Sequence, residues 1–479
     1  EAYYNRGNAL QDLGQLEAAL DSYDKAIELK PDYAEAYNNL GMALADQNHH
    51  DRAEDCYRQA LSIDPNNKIA QSNRLFCLNY HPHKTAAQIY AAYQQFEAQF
   101  GTPFRSQWPQ HSNRPDASRR LIVGYVSPDF RQHSTQYFLQ PLLANHDTKR
   151  FQIVAYDEAG RTDKITARYQ DYVERWVPTN RLSDDQLAHQ IQQDDIDILV
   201  DLAGHTAGNR LPVFARKPAP VSISWLGYGY TTGITAIDYF FADQTLVPAG
   251  SERFFAEQIW YLDSPSIAYR PVEGMGEVSP LPALETGHIT LACLSRSIRI
   301  NERVVALWSQ ILDRLPTACL LINNWSFRTR GMQDLMVDRF AKHDISADRL
   351  EIGYDSPPWD LLRRVDISLD CFPHNSGTTL VESLYMGVPF VTLASRASVG
   401  RIGSWVLQAT GYGEWIAETE EEYIDKVVEL AEDRLALSRI RSGLRPKIES
   451  SAIVDEVGFC RKIEAAYCQM FERWCRRKV

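Results

Sequence analysis

The sequence lacks the features typical of membrane, secreted and nucleic-acid-binding proteins. No apolar run among its 479 residues approaches the ~20 residues needed to span a bilayer. Lysine and arginine (50) are outnumbered by aspartate and glutamate (62), and a net charge of −12 argues against nucleic-acid binding, which needs a basic surface. The eight cysteines are scattered and form no C-x-x-C pair, so no disulfide framework is predicted. We therefore expect a reduced, cytoplasmic protein with no membrane or nucleic-acid partner.

An internal repeat of 34 residues opens the chain. Seven positions recur in register: Tyr3, Gly7, Leu10, Ala19, Tyr23, Ala26 and Pro31, then Tyr37, Gly41, Leu44, Ala53, Tyr57, Ala60 and Pro65. Small residues where two helices cross, with proline after the second helix, are typical of the tetratricopeptide repeat. Two repeats fall short of the roughly three needed for stability. We therefore expect helices to continue the stack to residue 100 and further repeats to precede residue 1.

The rest of the chain predicts an α/β protein. Residues 101–118 are polar, rich in proline, serine and arginine, and are interpreted as a linker. Short apolar runs then alternate with amphipathic helices, which indicates parallel sheets covered on both faces. Strands are expected at 121–127, 151–157, 197–204 and 221–228, then at 288–294, 319–324, 350–354, 365–370 and 390–394. The two series predict two doubly wound domains with a cleft between them, at 119–275 and at 288–479 including a terminal helix.

A turn of small residues, Ser376–Thr379, lies between a predicted strand and a helix. Ligands of parallel sheets bind beyond the carboxyl ends of strands, where a helix N-terminus offers free N–H groups and partial positive charge. Gly377 would let the backbone approach a diphosphate, and Thr378 and Thr379 would add hydroxyl donors. Glu382, about one turn further on, is placed to accept hydrogen bonds from ribose hydroxyls. The alternative is a plain helix cap with a capping-box pair of Thr379 and Glu382.

Four long segments carry a family resemblance. They are "RLIVGYVSPDFRQHST" (120–135), "VDLAGHTAGNRLPVFARKPAPVSISWLGYGYTTG" (200–233), "DYFFADQTLVP" (238–248) and "FPHNSGTTLVESLYMGVPFVTL" (372–393). With the preceding repeats, they resemble the O-GlcNAc-transferase/SPINDLY family of nucleotide-sugar glycosyltransferases. The resemblance implies the GT-B fold, with two Rossmann-like domains after a tetratricopeptide stack. It also implies inverting transfer of a sugar to serine or threonine of a protein, with no metal and no cofactor.

The resemblance also suggests roles for individual residues. His133 matches the histidine at the junction of donor and acceptor, and it is a catalytic candidate together with Arg299; a locally packed loop histidine is the alternative. The predicted nucleotide-sugar-binding residues are Asn375, Gly377, Thr378, Thr379 and Glu382. The predicted acceptor or cleft residues are His205, Asn209, Gly227, Tyr228 and Thr231. A satisfied turn is the alternative for His205 and Asn209.

Three positions depart from the family pattern. Gly229 stands where the family has proline, and Arg299 stands where a phosphate-binding lysine is expected. Asn323 or Asn324 occupies a further basic position. These departures leave two alternatives to full activity: reduced activity or a changed acceptor geometry.

The donor and the partners follow from the same resemblance. One branch of the family uses UDP-N-acetylglucosamine and another GDP-fucose; we expect the former, with a SPINDLY-like O-fucosyltransferase as the alternative. A catalytically weak repeat scaffold that senses a nucleotide sugar and a bare tetratricopeptide adaptor are the competing functional classes. The expected partners are the nucleotide sugar and acceptor proteins held by the repeats. Association into a homo-oligomer is left open.

Overall fold

The computed structural model describes residues 1–478, with the side chains of residues 1–477. The chain forms two compact units, each assembled from separate segments. One unit comprises Glu1–Lys84 and Val272–Ser450, and the other comprises Thr85–Pro271 and the chain from Ser451 onward. The repeats thus belong to the same unit as the second α/β domain.

Five helices form the repeat stack. They are α1 (Ala2–Asp12), α2 (Leu16–Leu29), α3 (Ala34–Asp46), α4 (His50–Ile63) and α5 (Lys68–Tyr80). The repeated glycines are explained by the repeated tyrosines: a Cβ on Gly7 would lie 2.5 Å from a Tyr23 ring atom, and one on Gly41 would lie 2.8 Å from Tyr57. Only glycine permits this close approach of ring and backbone. The next helix, α6 (Ala86–Phe96), belongs to the other unit.

The first α/β domain contains a seven-stranded parallel sheet of order β3-β2-β1-β4-β5-β6-β7. Its strands are β1 (Leu121–Ser127), β2 (Phe151–Asp157), β3 (Arg175–Pro178), β4 (Ile198–Asp201), β5 (Val221–Ser224), β6 (Tyr239–Ala242) and β7 (Gln258–Tyr261). Its helices are α7 (Gln136–Leu143), α8 (Lys164–Tyr172), α9 (Asp184–Gln193) and α10 (Leu211–Ala215). The uninterrupted apolar runs of the central strands are buried, as expected for a parallel sheet covered on both faces.

The second α/β domain contains a six-stranded parallel sheet of order β10-β9-β8-β11-β12-β13. Its strands are β8 (Thr290–Cys293), β9 (Cys319–Asn323), β10 (Leu350–Gly353), β11 (Ile367–Leu369), β12 (Phe390–Leu393) and β13 (Ile416–Ala417). Its helices are α11 (Ala283–Thr286), α12 (Glu302–Arg314), α13 (Arg330–Ala341), α14 (Pro358–Leu362), α15 (Thr378–Tyr385), α16 (Ile402–Thr410), α17 (Glu420–Glu432) and α18 (Arg434–Glu449).

The predicted domain 288–479 is wrong in including the terminal helix, α19 (Glu456–Lys478). Residue 479 itself lies outside the described residues. The prediction included this helix in the second α/β domain. Instead Phe459, Ile463 and Tyr467 are buried in the core of the first sheet, and the Tyr467 hydroxyl lies 2.9 Å from that of Tyr125 on β1. The amphipathic pattern predicts that the helix packs, and it carries no information about which sheet it packs on.

Two further expectations need adjustment. Residues 101–118 include a 3-10 segment, Thr102–Gln107, and Trp108 Nε1 donates a hydrogen bond to the carbonyl of Ala215, 2.9 Å away, so this stretch is fixed to the first domain. Strands β3, β6, β7 and β13 and helices α10, α11 and α18 were not predicted. No helix within residues 1–478 is both long and apolar enough to cross a membrane.

Candidate active site

Both sheets reverse their strand order at one point, and the predicted site residues follow the strands at those points. In the second sheet the reversal lies between β8 and β11, and the following loops carry Arg299 and Gly377. In the first sheet it lies between β1 and β4, which are followed by His133 and His205. Such reversal points open a crevice beyond the carboxyl ends of the strands, where ligands of doubly wound folds bind.

A buried aspartate organises the loop between β11 and α15. Asp370 is fully buried, and one carboxylate oxygen accepts hydrogen bonds from the N–H groups of Cys371 and Ser376, each 2.8 Å away. The other oxygen accepts one from the Thr392 hydroxyl, 2.7 Å away. Burial raises the pKa of Asp370 to about 7, although these bonds act in the opposite direction. Sequence analysis did not select Asp370; its signal is an aspartate at a strand end before a tight loop.

The N-terminus of α15 is uncapped and faces open space. Gly377 is its N-cap residue and makes no side-chain cap, and the N–H groups of Gly377, Thr378 and Thr379 have no hydrogen-bond acceptor within residues 1–478. A Cβ on Gly377 would meet no atom within 4 Å. Such an end carries about half a positive charge and suits an anion.

Glu382 has no partner of its own. The side chain is 5% exposed, and no hydrogen bond or ion pair to it is found in the described part of the chain. Burial alone raises its pKa to about 7. The capping-box alternative is therefore wrong, because Thr379 is not the N-cap and Glu382 does not reach back to the start of the helix. A buried carboxyl group without a donor is costly unless a ligand supplies one.

Arg299 lies in the short 3-10 turn Ser297–Arg299 after β8. One of its Nη atoms lies 3.5 Å from the Ser295 hydroxyl, at the limit of a hydrogen bond, and its buried Nε has no acceptor. No carboxylate among residues 1–478 forms an ion pair with it, although its charge acts to lower the pKa of the buried Asp370. The Ser376 hydroxyl lies 3.0 Å from that of Ser295, which joins this loop to the one before α15. A cation and an open helix N-terminus thus belong to two linked loops.

Asn375 has a role different from the predicted one. The residue is fully buried, its Nδ2 donates to the carbonyl of Cys371 (2.8 Å), and its Oδ1 accepts from the N–H of Gly403 (3.2 Å). The amide therefore shapes the loop rather than facing a ligand. Asn323 and Asn324, one of which replaces a basic residue of the family, also serve the local backbone. Asn323 exchanges hydrogen bonds with the backbone of Asp355, and Asn324 caps the next turn.

His133 lies in the loop between β1 and α7, and its side chain is 37% exposed. Its Nδ1 lies 3.0 Å from the Thr135 hydroxyl and 3.6 Å from a carboxylate oxygen of Asp129. Burial lowers its pKa, and Asp129 partly opposes this. The ring is thus oriented through Nδ1, while Nε2 makes no bond to any residue in the range 1–478. This geometry suits a group that exchanges a proton, and the assignment stays a prediction.

The predicted acceptor residues are mostly enclosed. His205 is 2% exposed, its Nε2 lies 2.7 Å from the carbonyl of Thr232, and rings of Tyr93, Phe96 and Tyr228 surround it. Burial lowers its pKa to about 4. Asn209 donates to the carbonyl of Thr206, which is the satisfied-turn alternative.

The segment after β5 is likewise interior. Thr231 is buried and donates to the Glu257 carboxylate (2.6 Å), and Tyr228 is 8% exposed. A Cβ on Gly227 would lie 1.8 Å from the carbonyl oxygen of Leu202, so this glycine is required by close backbone contact. Gly229, the replacement for proline, has φ +78°, which proline cannot adopt. The hydroxyls of Tyr228 and Thr231 thus both have partners inside the first domain, Tyr93 and Glu257, and the two glycines have no side chain to offer a ligand.

The comparisons with known proteins agree with this geometry. Residues 75–267 and 284–463 match glycosyl transferase family 41, and residues 7–48 and 34–67 match tetratricopeptide repeats. The chain is 33% identical over 417 residues to a Solanum lycopersicum protein named "Probable UDP-N-acetylglucosamine--peptide N-acetylglucosaminyltransferase SPINDLY", covering 85% of this chain and 44% of that protein. The Arabidopsis thaliana protein of the same name is 32% identical, at 86% and 46% coverage. The chain thus spans about half the length of the curated relatives it matches.

A solved structure is similar over the whole chain. The O-GlcNAc transferase of Thermobaculum terrenum, solved as a lysine-to-methionine mutant, superposes with a TM-score of 0.93 at 30% identity, covering 100% of this chain and 92% of that one. This likeness confirms the predicted architecture of a tetratricopeptide stack with two GT-B domains. Together, the family match and the conserved architecture establish that the chain belongs to glycosyl transferase family 41.

Proposed function

We propose that the chain is a protein O-glycosyltransferase that moves N-acetylglucosamine from UDP-N-acetylglucosamine to serine or threonine of acceptor proteins. The observation that carries the proposal is a set of three groups with unsatisfied hydrogen-bonding atoms, all following the point where the second sheet reverses its strand order. The open N-terminus of α15 and the unpaired Arg299 are positively charged. The unpartnered Glu382 is a hydrogen-bond acceptor. A nucleoside diphosphate complements all three, because its phosphates are anionic and its ribose hydroxyls are donors.

Each group has a distinct part in the reaction. The N–H groups at Gly377–Thr379 and the Arg299 guanidinium would bind the diphosphate, and Glu382 would hold the ribose. The acceptor hydroxyl attacks the anomeric carbon and loses its proton, while the bond from that carbon to the diphosphate oxygen breaks. Negative charge then grows on the leaving phosphate, and fixed positive groups stabilise this transition state more than the ground state.

Two more features of the proposed reaction are its lack of a cofactor and the inversion at the anomeric carbon. Because Arg299 and the helix end already offer positive charge to the leaving group, we propose that the reaction needs no metal ion or other cofactor. A single displacement at the anomeric carbon inverts its configuration. His133 would contact the acceptor hydroxyl or the sugar through its Nε2 atom, as the proton-exchanging group.

The repeats would hold the acceptor protein. The first helices of successive repeats carry linked amides: Asn39 Nδ2 donates to Asn8 Oδ1 (2.8 Å), and Asn73 Nδ2 donates to Asn38 Oδ1 (3.0 Å). Stacked repeats form an extended concave binding surface. We propose that this row of amides lies on that surface and offers donors and acceptors to the backbone of an extended peptide, with little demand on its sequence.

The test combines binding with transfer. Calorimetry with UDP, GDP and their sugar conjugates identifies the donor class, and mass spectrometry of acceptor peptides identifies the sugar transferred. We expect tight binding of UDP and a peptide mass increase of one N-acetylhexosamine. Tight binding of GDP with a mass increase of one deoxyhexose would establish the GDP-fucose alternative. Binding without transfer to any acceptor would leave a nucleotide-sugar sensor, and absence of binding would overturn both.

A further inference from the structure

The turn that carries Arg299 is embedded in the repeat stack. Ile298, the middle residue of this turn, is 3% exposed and belongs to the apolar cluster of the repeats, with Leu44, Tyr57 and Tyr80. Asn48 Nδ2 donates a hydrogen bond to the carbonyl of Ser297 at 2.8 Å. The backbone that precedes Arg299 is therefore positioned by residues of the repeats.

Tyr80, the last residue of α5, contacts both loops of the candidate site. The residue is 2% exposed. Its ring stacks on His374, in the loop before α15, with the ring centroids 4.4 Å apart and the planes 3° from parallel. The guanidinium carbon of Arg299 lies over the same ring, 5.6 Å from its centroid, within cation–π range. One aromatic side chain thus touches a residue after β8 and a residue after β11.

Little else fixes the Arg299 head group. Its one hydrogen bond within residues 1–478 has the limiting length of 3.5 Å, and no ion pair within those residues restrains it. An arginine side chain loses considerable rotamer freedom on being held in one geometry. The ring of Tyr80 is the contact that restricts the guanidinium before a ligand arrives.

The position of Tyr80 is itself fixed by cations of the second α/β domain. Arg396, which follows β12, donates to the carbonyls of Asn79, His81 (3.3 Å) and Lys84 (3.2 Å). Arg303, at the start of α12, donates to the carbonyl of Pro82, 3.1 Å away. Cations at the C-terminal end of α5 also complement the helix dipole. The end of the repeat stack is therefore fastened to the domain at the site.

We propose that Tyr80 is a positioning residue for the reaction: its ring, held in orientation by stacking on His374, keeps the Arg299 guanidinium in place at the diphosphate. The last helix of the repeats is then a wall of the nucleotide site as well as part of an acceptor-binding array. The inference rests on the proposed function, because it requires a phosphate for Arg299 to bind. A cation held in place before binding contributes more to catalysis than a mobile one.

The test compares Tyr80→Leu with Tyr80→Phe, which keeps the ring face. Tyr23→Leu is the matched control, because it removes a buried tyrosine of the first repeat, which contacts neither Arg299 nor His374. Calorimetry is performed with UDP and with uridine, or with GDP and guanosine if wild type binds GDP. For Tyr80→Leu we expect about 10-fold weaker diphosphate binding and a comparable fall in kcat for donor hydrolysis, with nucleoside binding unchanged. Tyr80→Phe should stay within about 2-fold of wild type, since a phenyl face also binds cations.

A double mutant separates positioning from general damage to the fold. If Tyr80 acts through Arg299, Tyr80→Leu should have no further effect on diphosphate affinity in an Arg299→Ala background. Equal losses for diphosphate and nucleoside, additivity in the double mutant, or the same loss in Tyr23→Leu would each overturn the proposal. These outcomes are distinct from failure of the proposed function, in which wild type itself binds no nucleoside diphosphate.

Discussion

The unpartnered carboxyl group of Glu382 predicts a pH-dependent affinity for the nucleotide. Burial raises its pKa from 4.5 to about 7 in the ligand-free protein, so the neutral form dominates below neutral pH. Ribose hydroxyls donate hydrogen bonds, and an ionised carboxylate is the better acceptor. Binding therefore favours the charged form, releases a proton, and becomes tighter as pH rises through 7.

The size of the effect follows from that pKa. If the nucleotide binds only the ionised form, the apparent Kd exceeds its limiting value by the factor 1 + 10^(pKa − pH). For a pKa of about 7, this factor is about 11 at pH 6 and about 1.1 at pH 8, a change of about 10-fold. With an ordinary glutamate pKa, the same interval would give almost no change.

The assay is calorimetric titration of UDP between pH 6 and pH 8, with Glu382→Gln as the control. The terminal phosphate of the nucleotide ionises near pH 6 as well (about 6 for a phosphate monoester), so the variant reports that contribution alone. We expect weaker binding in Glu382→Gln and a pH slope smaller than that of wild type. Identical slopes in the two proteins would refute a role for Glu382 in holding the nucleoside.

Three further predictions concern the other groups of the site. Gly377→Val should weaken diphosphate binding by about 10-fold or more, because its side chain would occupy the open space in front of the helix N–H groups; wild-type affinity in a folded variant would remove the helix end from the site. Arg299→Ala should lower kcat by about 10- to 100-fold, since a charge-assisted hydrogen bond contributes roughly 1.5–3 kcal/mol, and Arg299→Lys tests whether charge alone restores turnover. His133→Ala should lower kcat by about 10²-fold or more, and unchanged turnover of a folded variant would leave it a loop histidine.

The sequence predicted what depends on local pattern and missed what depends on distant packing. Strands β1 and β2 match their predicted limits, because their apolar runs are long and bounded by polar residues. The edge strand β3 was missed because it is short and half exposed. The start of a helix at Gly377 could be predicted, because small residues between a strand and an apolar run are typical of such a turn. By contrast, nothing in the sequence distinguishes polar residues that serve a loop, such as Asn375 and His205, from those that face a ligand.

The discontinuous first domain has a consequence for how the protein is made. Its core includes Phe459, Tyr467 and Phe471 of α19, which are synthesised about 190–200 residues after Pro271, where its main segment ends. The ribosome adds about 5–20 residues per second, so it needs roughly 10–40 s to translate the residues between Pro271 and the end of α19. During this time the apolar residues that α19 later covers have no native partner. The domain that is translated first therefore completes its folding last, and its nascent form is the state that needs protection from aggregation.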